Sequence, residues 1–265
     1  MSEADSMIIV EREGGAAILR LHRPEQGNAI SLALACELLA QVRVLAADPS
    51  VRCVVLTGTG RFFCVGGDIA AFGEAGDRVG TLMAQITDAL HAAVAILATM
   101  DKPLVTAVNG PAAGAGLGLA LLGDIVLAAA SSHFTMAYTA IGLTPDGGTS
   151  WLLPRLIGLR RAQNMALTNK RVSSEEAERI GLITRSLPAN ADVLAEARSV
   201  AAELDRGATD AFASVRRLFA NSTRSDFTDQ LAEESQLICK AVRGPEGAAG
   251  IQAFLTKQRP VFSKT

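Results

Sequence analysis

Residues 101–118 read Asp101-Lys102-Pro103-Leu104-Val105-Thr106-Ala107-Val108-Asn109-Gly110-Pro111-Ala112-Ala113-Gly114-Ala115-Gly116-Leu117-Gly118. A short apolar run from Leu104 to Val108 breaks at Asn109-Gly110 into a segment made almost wholly of glycine and alanine. That pattern predicts a buried strand, a turn and then a small-residue helix reaching about Leu122. Small residues leave backbone N–H groups uncovered, so a ligand oxygen can come close to them. Further on, Thr144-Pro145-Asp146-Gly147-Gly148-Thr149 holds one acid between a proline and two glycines. A carboxylate facing uncovered backbone donors is the minimum equipment for moving a proton next to a carbonyl.

The flanking sequence repeats the strand–helix alternation. Ala16 to Leu21 reads as a strand closed by Pro24, and Ser31 is placed to cap a helix from Leu32 to about Ala47, apolar at Leu34, Leu38, Val42 and Leu45. Cys53 to Thr57 is a second buried strand, Thr81 to Thr99 a long helix, and Ile125 to Ala128 a further strand. Together they predict an α/β fold with a mostly parallel sheet and crossover helices. After Trp151 the pattern turns helical: 160–168, 174–180, 191–205, 208–219, 225–242 and a last helix ending near Lys257. The reading divides the chain into a catalytic core over 1–190 and a helical C-terminal lobe over 191–265.

Composition excludes several classes. With 265 residues, 49% hydrophobic content and a mean hydropathy of +0.27, the chain has enough apolar side chains for one large core. A formal net charge of −2 and few aromatics give no basic or base-stacking surface, so no nucleic-acid partner is expected. Met1-Ser2-Glu3-Ala4-Asp5 has no basic, apolar leader pattern, and the apolar run around Gly123-Asp124 is too short for a membrane span. A cytoplasmic protein without a membrane partner is expected. Cys36, Cys53, Cys64 and Cys239 lack metal or redox spacing and read as structural thiols. No bound metal or cofactor is expected.

Val108-Asn109-Gly110, followed by Gly114-Ala115-Gly116 and Gly123-Asp124-Ile125, resembles the crotonase superfamily, the enoyl-CoA hydratases and isomerases. Phe63-Cys64-Val65-Gly66-Gly67-Asp68-Ile69 is similar to the family's other active-site loop. Leu21-His22-Arg23-Pro24 with Asn28-Ala29, and Ser174-Glu175-Glu176-Ala177 through Ile180-Gly181-Leu182-Ile183, resemble its flanking motifs. The motifs stand in the family's order along nearly the whole chain. A dinucleotide-binding turn is excluded because the third fingerprint position is Leu119 and no acid follows at the required distance.

The resemblance implies a spiral of strand–strand–helix turns, a homotrimer or homohexamer, and an acyl-CoA thioester as substrate, with coenzyme A as part of it. It places the oxyanion-hole donors at the backbone N–H of Gly67 and Ala115, where a developing enolate oxygen is stabilised. Val65, Gly66, Asp68, Ile69, Gly114 and Tyr138 are implied in substrate binding. The two glutamates of the family's hydratases fall on Gly118 and Tyr138, neither of which is an acid, and the glycine implies free space at 118. Asp146 falls where double-bond isomerases carry an acid and an aryl-CoA dehalogenase its nucleophile. Its Ile141-to-Asp146 turn leading into Trp151-Leu152-Leu153-Pro154-Arg155 most resembles the ring-epoxide isomerase branch.

Each of these residues also has a purely structural reading. Pro-Asp-Gly-Gly is a good turn and Asp146 could cap a helix. Tyr138 could orient an acyl group or pack in the core. Asp68 reads mainly as support for its loop, and Cys64 as a packing residue without a histidine to activate it. Arg23 is either a ligand for the phosphates of coenzyme A or a solvated side chain. The expected activity is double-bond or ring-epoxide isomerisation with Asp146 as acid and base; the alternatives are hydration and non-catalytic acyl-CoA binding.

Overall fold

The computed structural model of the chain describes residues 6–262, so the leader reading at Met1–Asp5 lies outside the described residues. Strands β1 (Ile8–Glu13) and β2 (Ala16–Leu21) form an antiparallel hairpin. Helix α1 (Leu32–Ala47) follows, its first turn capped by Ser31, whose hydroxyl accepts from the Leu34 N–H at 3.2 Å. Next come β3 (Cys53–Gly58), α2 (Ile69–Ala75), α3 (Val79–Thr99) and β4 (Leu104–Val108). Then β5 (Ala112–Ala113), α4 (Ala115–Leu121), β6 (Ile125–Ala128) and β7 (His133–Thr135) complete the half that carries the glycine-rich turn.

The chain continues through α5 (Thr149–Ile157), α6 (Leu159–Thr168), β8 (Val172–Ser173), α7 (Ser174–Arg179) and β9 (Arg185–Ser186). It ends with α8 (Val193–Asp205), α9 (Thr209–Ser222), α10 (Phe227–Arg243) and α11 (Pro245–Leu255). The main sheet has the order β1-β2-β3-β4-β6-β9 and is parallel except for the β1–β2 pair. A smaller sheet has the order β5-β7-β8.

The two sheets are linked turn by turn. Each of β3, β4 and β6 belongs to the main sheet, and each is followed by a segment in a second ladder: Cys64 bridges Ala112, and Ala112 pairs with Phe134. A helix then returns the chain to the next main strand. This is a spiral of strand–strand–helix turns, as the sequence predicts.

Both faces of the main sheet are covered, which is why its strands are apolar throughout. Ala17, Leu19, Leu21, Val54, Leu56, Leu104 and Val108 join the larger core with α1, α3 and α4. The alternating set Ala16, Ile18, Cys53, Val55, Val105 and Ala107 packs against Val193, Ala197 and Ala201 of α8. Helix α8 therefore packs directly on the main sheet. The C-terminal helices without a buried residue begin at Thr209.

Two composition readings also change. The continuous run Ile69–Thr99 is long and apolar enough, by length and composition alone, to cross a membrane. Its hydrophobicity has a local explanation, because Ile86, Ala89, Leu90, Ala93 and Leu97 are buried in the core. Of the four cysteines only Cys53 and Cys64 are buried, whereas Cys36 and Cys239 are exposed and have no packing role.

Candidate active site

Three consecutive turns of the spiral deliver loops to one cavity of about 460 Å³. Val65, Gly66, Gly67 and Ile69 come from the loop after β3, Gly114 and Ala115 from the loop before α4, and Tyr138 and Asp146 from the segment after β7. Its remaining wall is mostly apolar, with Ile30, Phe72, Met83, Ile86, Leu90, Ile141 and Leu143 beside Thr87 and Thr144. Asp146 is the one carboxylate among the lining residues.

The first two loops are brought together by glycine. Gly66 has φ +100° and Gly114 φ +53°, and a Cβ on Gly66 would stand 3.0 Å from the Ala113 carbonyl oxygen. A side chain at Gly66 would crowd that oxygen, and at Gly114 the left-handed backbone itself favours glycine. Buried Asn28 sets the first loop from below, its Nδ2 donating to Thr59 O (3.0 Å), Phe62 O (2.8 Å) and Phe63 O (3.1 Å). Asn109 adds bonds from Nδ2 to Gly60 O and Phe62 O, and its Oδ1 accepts from the Gly58 N–H. These contacts give the two motif asparagines their physical role.

Neighbouring amides along both loops are engaged: Ile30 N–H donates to Gly66 O, Asp68 N–H to Ile30 O and Gly114 N–H to Thr135 O. Among the described residues, the N–H groups of Gly67 and Ala115 stand outside this ladder and border the cavity. Two such donors suit a carbonyl oxygen that gains negative charge.

The third loop carries the acid. Ala137 lies in the left-handed region at φ +58°, unusual for a residue with a Cβ, and it turns the chain into the short 3-10 segment Tyr138–Ile141. Tyr138 Oη donates to Asp146 Oδ1 at 2.6 Å. Burial, reinforced by the Asp146 charge, pushes the Tyr138 phenol above its ordinary pKa, so it stays protonated as a donor. The Asp146 carbonyl accepts from the Thr149 hydroxyl at 2.8 Å and from the Thr149 N–H at 3.1 Å. Asp146 thus takes its backbone part in the turn before α5 while its side chain borders the cavity; the two readings of this residue are compatible.

His91, on α3, completes the surroundings of the acid. Its Nε2 lies 3.7 Å from Asp146 Oδ2 and accepts from the Gly147 N–H at 3.1 Å. No motif in the sequence singles out this histidine. Its only local signal is its place on α3 one residue after cavity-lining Leu90 and four after Thr87.

Other expectations are relocated. Asp68 does not line the cavity: it caps α2 by accepting from Ala71 N–H and pairs with Arg23 at 3.0 Å. Arg23 is tied down through Nη1, which donates to Ala29 O and to Asp68. Cys64 is buried, donates to Asn28 O, and burial pushes its thiol up to about 12. Gly118 offers no space: a Cβ there would stand 2.5 Å from the Gly147 oxygen. Helix α4 therefore packs directly on the turn that holds Asp146.

Comparisons with known proteins agree with this fold. The enoyl-CoA hydratase/isomerase family model matches residues 11–265. The chain is 39% identical to a probable enoyl-CoA hydratase of Rhodobacter capsulatus, over 94% of this chain and 95% of that one. It is 35% identical to the 1,2-epoxyphenylacetyl-CoA isomerase of Escherichia coli, over 97% and 98%. Its fold superposes on the crystal structure of an enoyl-CoA hydratase from Polaromonas with a TM-score of 0.92, at 33% identity and covering 97% and 99%.

Proposed function

The chain belongs to the enoyl-CoA hydratase/isomerase family and is an enzyme of the crotonase type, and from that premise we propose that it isomerises an enoyl-CoA thioester with Asp146 as its single acid and base. The observation that carries this reading is the lone carboxylate of the cavity, held by Tyr138 in a cavity that Gly67 and Ala115 also line. The thioester oxygen accepts from the two N–H groups, which lowers the cost of the enolate formed when a proton leaves C2. Asp146 takes that proton and returns it to C4, moving the double bond from C3–C4 to C2–C3. No atom is gained or lost, and the apolar wall keeps water from the intermediate. An epoxide-bearing ring thioester would use the same donors and the same acid.

Hydration is the weaker reading. It asks for a water held between two acids, and the positions matching the hydratase glutamates carry Tyr138 and the closely packed Gly118. Non-catalytic binding leaves the Tyr138–Asp146 arrangement without a purpose. The decisive experiment gives the enzyme a 3-enoyl-CoA and crotonyl-CoA separately and follows isomerisation and hydration. Isomerisation that disappears in Asp146→Asn supports the proposal; hydration unaffected by that change overturns it.

The same proposal includes a cytoplasmic enzyme without metal or redox cofactor and a trimeric or hexameric assembly. Support for assembly comes from the C-terminal helices, where Phe219, Phe227, Phe254, Leu255 and Val261 are exposed, Phe254 and Val261 at 82%. A light-scattering mass equal to one 27.6 kDa chain rejects it.

A further inference from the structure

Gly147, next to the acid, is gripped from both sides. Its N–H is held by His91 Nε2, which accepts from it at 3.1 Å, and the next carbonyl, Gly147 O, is packed against Gly118 of helix α4. The accepting nitrogen carries no proton, so the neutral ring has its proton on Nδ1. The same Nε2 is 3.7 Å from Asp146 Oδ2, beyond hydrogen-bond length. One nitrogen thus faces a backbone donor and a carboxylate, and its protonation decides which one it serves.

We propose that His91 is a positioning residue for Asp146, fastening the acid-bearing turn while neutral and releasing it when protonated. A protonated Nε2 repels the Gly147 N–H and is drawn to the Asp146 carboxylate. The turn then loses one of its anchors, and the acid gains a cationic partner that competes for its lone pair. Tyr138, which holds the other carboxylate oxygen, does not titrate in the same range, because burial pushes its phenol upward. Asp88, the other charged side chain of α3, is exposed to solvent. The inference rests on Asp146 being the working acid and adds a pH sensor to it.

The test uses 3-hexenoyl-CoA and compares wild type with His91→Gln and His91→Phe from pH 5 to 9. Glutamine keeps an acceptor at nearly the same reach but takes up no proton; phenylalanine keeps the volume and removes the acceptor. Wild-type kcat is expected to fall toward the acid end of this range. His91→Gln retains kcat within about threefold at pH 8 and loses that fall, whereas His91→Phe loses kcat about tenfold or more with KM within about threefold. His91 is half-exposed, so both variants are expected to fold, and thermal melts check this.

A His91→Phe enzyme with wild-type kcat and pH profile overturns the positioning role. A His91→Gln enzyme as impaired as His91→Phe overturns it too, since the ring would then be carrying protons itself. Asp146→Asn, measured alongside, separates the two levels. If that variant stays active, the proposed function fails; if it is dead while the His91 variants are unchanged, only the positioning role fails.

Discussion

Tyr138 holds Asp146 by its side chain, Oη to Oδ1 at 2.6 Å, and also approaches the Asp146 carbonyl oxygen at 3.3 Å. The phenol and the acid therefore behave as one unit in which one carboxylate oxygen is fixed and the other is left for proton transfer. Gly114, whose neighbour Ala115 is the proposed oxyanion donor, stands close to the same ring: a Cβ on it would lie 3.8 Å from Tyr138 Cζ. Tyr138 thus connects the acid-bearing loop to the donor-bearing one.

Tyr138→Phe removes the hydroxyl and keeps the ring. A carboxylate that loses a positioning hydrogen bond in an apolar cavity should cost about tenfold in kcat, with KM changed less than about threefold. Steady-state kinetics on a 3-enoyl-CoA decide this. An unchanged kcat would show that the turn backbone alone sets the acid.

Gly118→Ala places a methyl group against the Gly147 carbonyl, where an ideal Cβ stands only 2.5 Å away. Overpacking of this kind costs about 1–3 kcal/mol, and the strain falls on the Asp146 turn. Activity is expected to drop further than the melting temperature suggests. Gly118→Glu is expected to behave worse still and to gain no hydration of crotonyl-CoA, because the added side chain displaces Asp146 and Tyr138 remains where the second acid would stand.

Asn28→Ala removes a side chain that serves three carbonyls of the loop before Cys64. Buried carbonyls without donors cost about 1–3 kcal/mol each at the upper limit, so a loss of about 2–4 kcal/mol in urea unfolding is expected. Asn28→Asp is expected to be no better, since it presents a charge to carbonyl oxygens. A stability loss under about 0.5 kcal/mol would show that the loop holds its shape without this residue.

Alkaline stability follows from the two buried thiols. Burial pushes both Cys53 and Cys64 up to about 12 in the folded chain, against about 8.5 for a free thiol. A raised folded-state value means that the unfolded chain releases its protons first. The contribution is complete below pH about 8.5 and is lost progressively as the pH rises from there toward 12. Melting temperature should therefore decline above pH 8.5, and Cys64→Ala should decline less steeply than wild type. Parallel declines would assign the alkaline loss to other groups.

The parts of the fold legible in sequence are those whose two sides are both buried. Cys53–Gly58 and Leu104–Val108 are covered on both faces and read as apolar runs. Strand β1 escaped because it is an edge strand, buried at Ile8 and increasingly exposed toward Glu13. Helix α2 escaped because none of its seven residues is buried. The two glycine loops and Asp146 were visible through local chemistry, whereas His91 was not. Its relation to Asp146 exists only after α3 has packed beside the turn before α5. Gly118 was misread for a related reason: a glycine marks either open space or a close neighbour, and sequence alone does not distinguish them.

On the proposed mechanism, the spiral divides the catalytic tasks by chain order. Carbonyl polarisation belongs to the loops of the second and third turns, which are locked to each other through Gly66 and Gly114. Proton handling belongs to the fourth, in the few residues from Ala137 to Gly148. A change of chemistry therefore needs no redesign of thioester recognition: exchanging that one short segment retools the reaction while the machinery that grips the carbonyl is inherited intact.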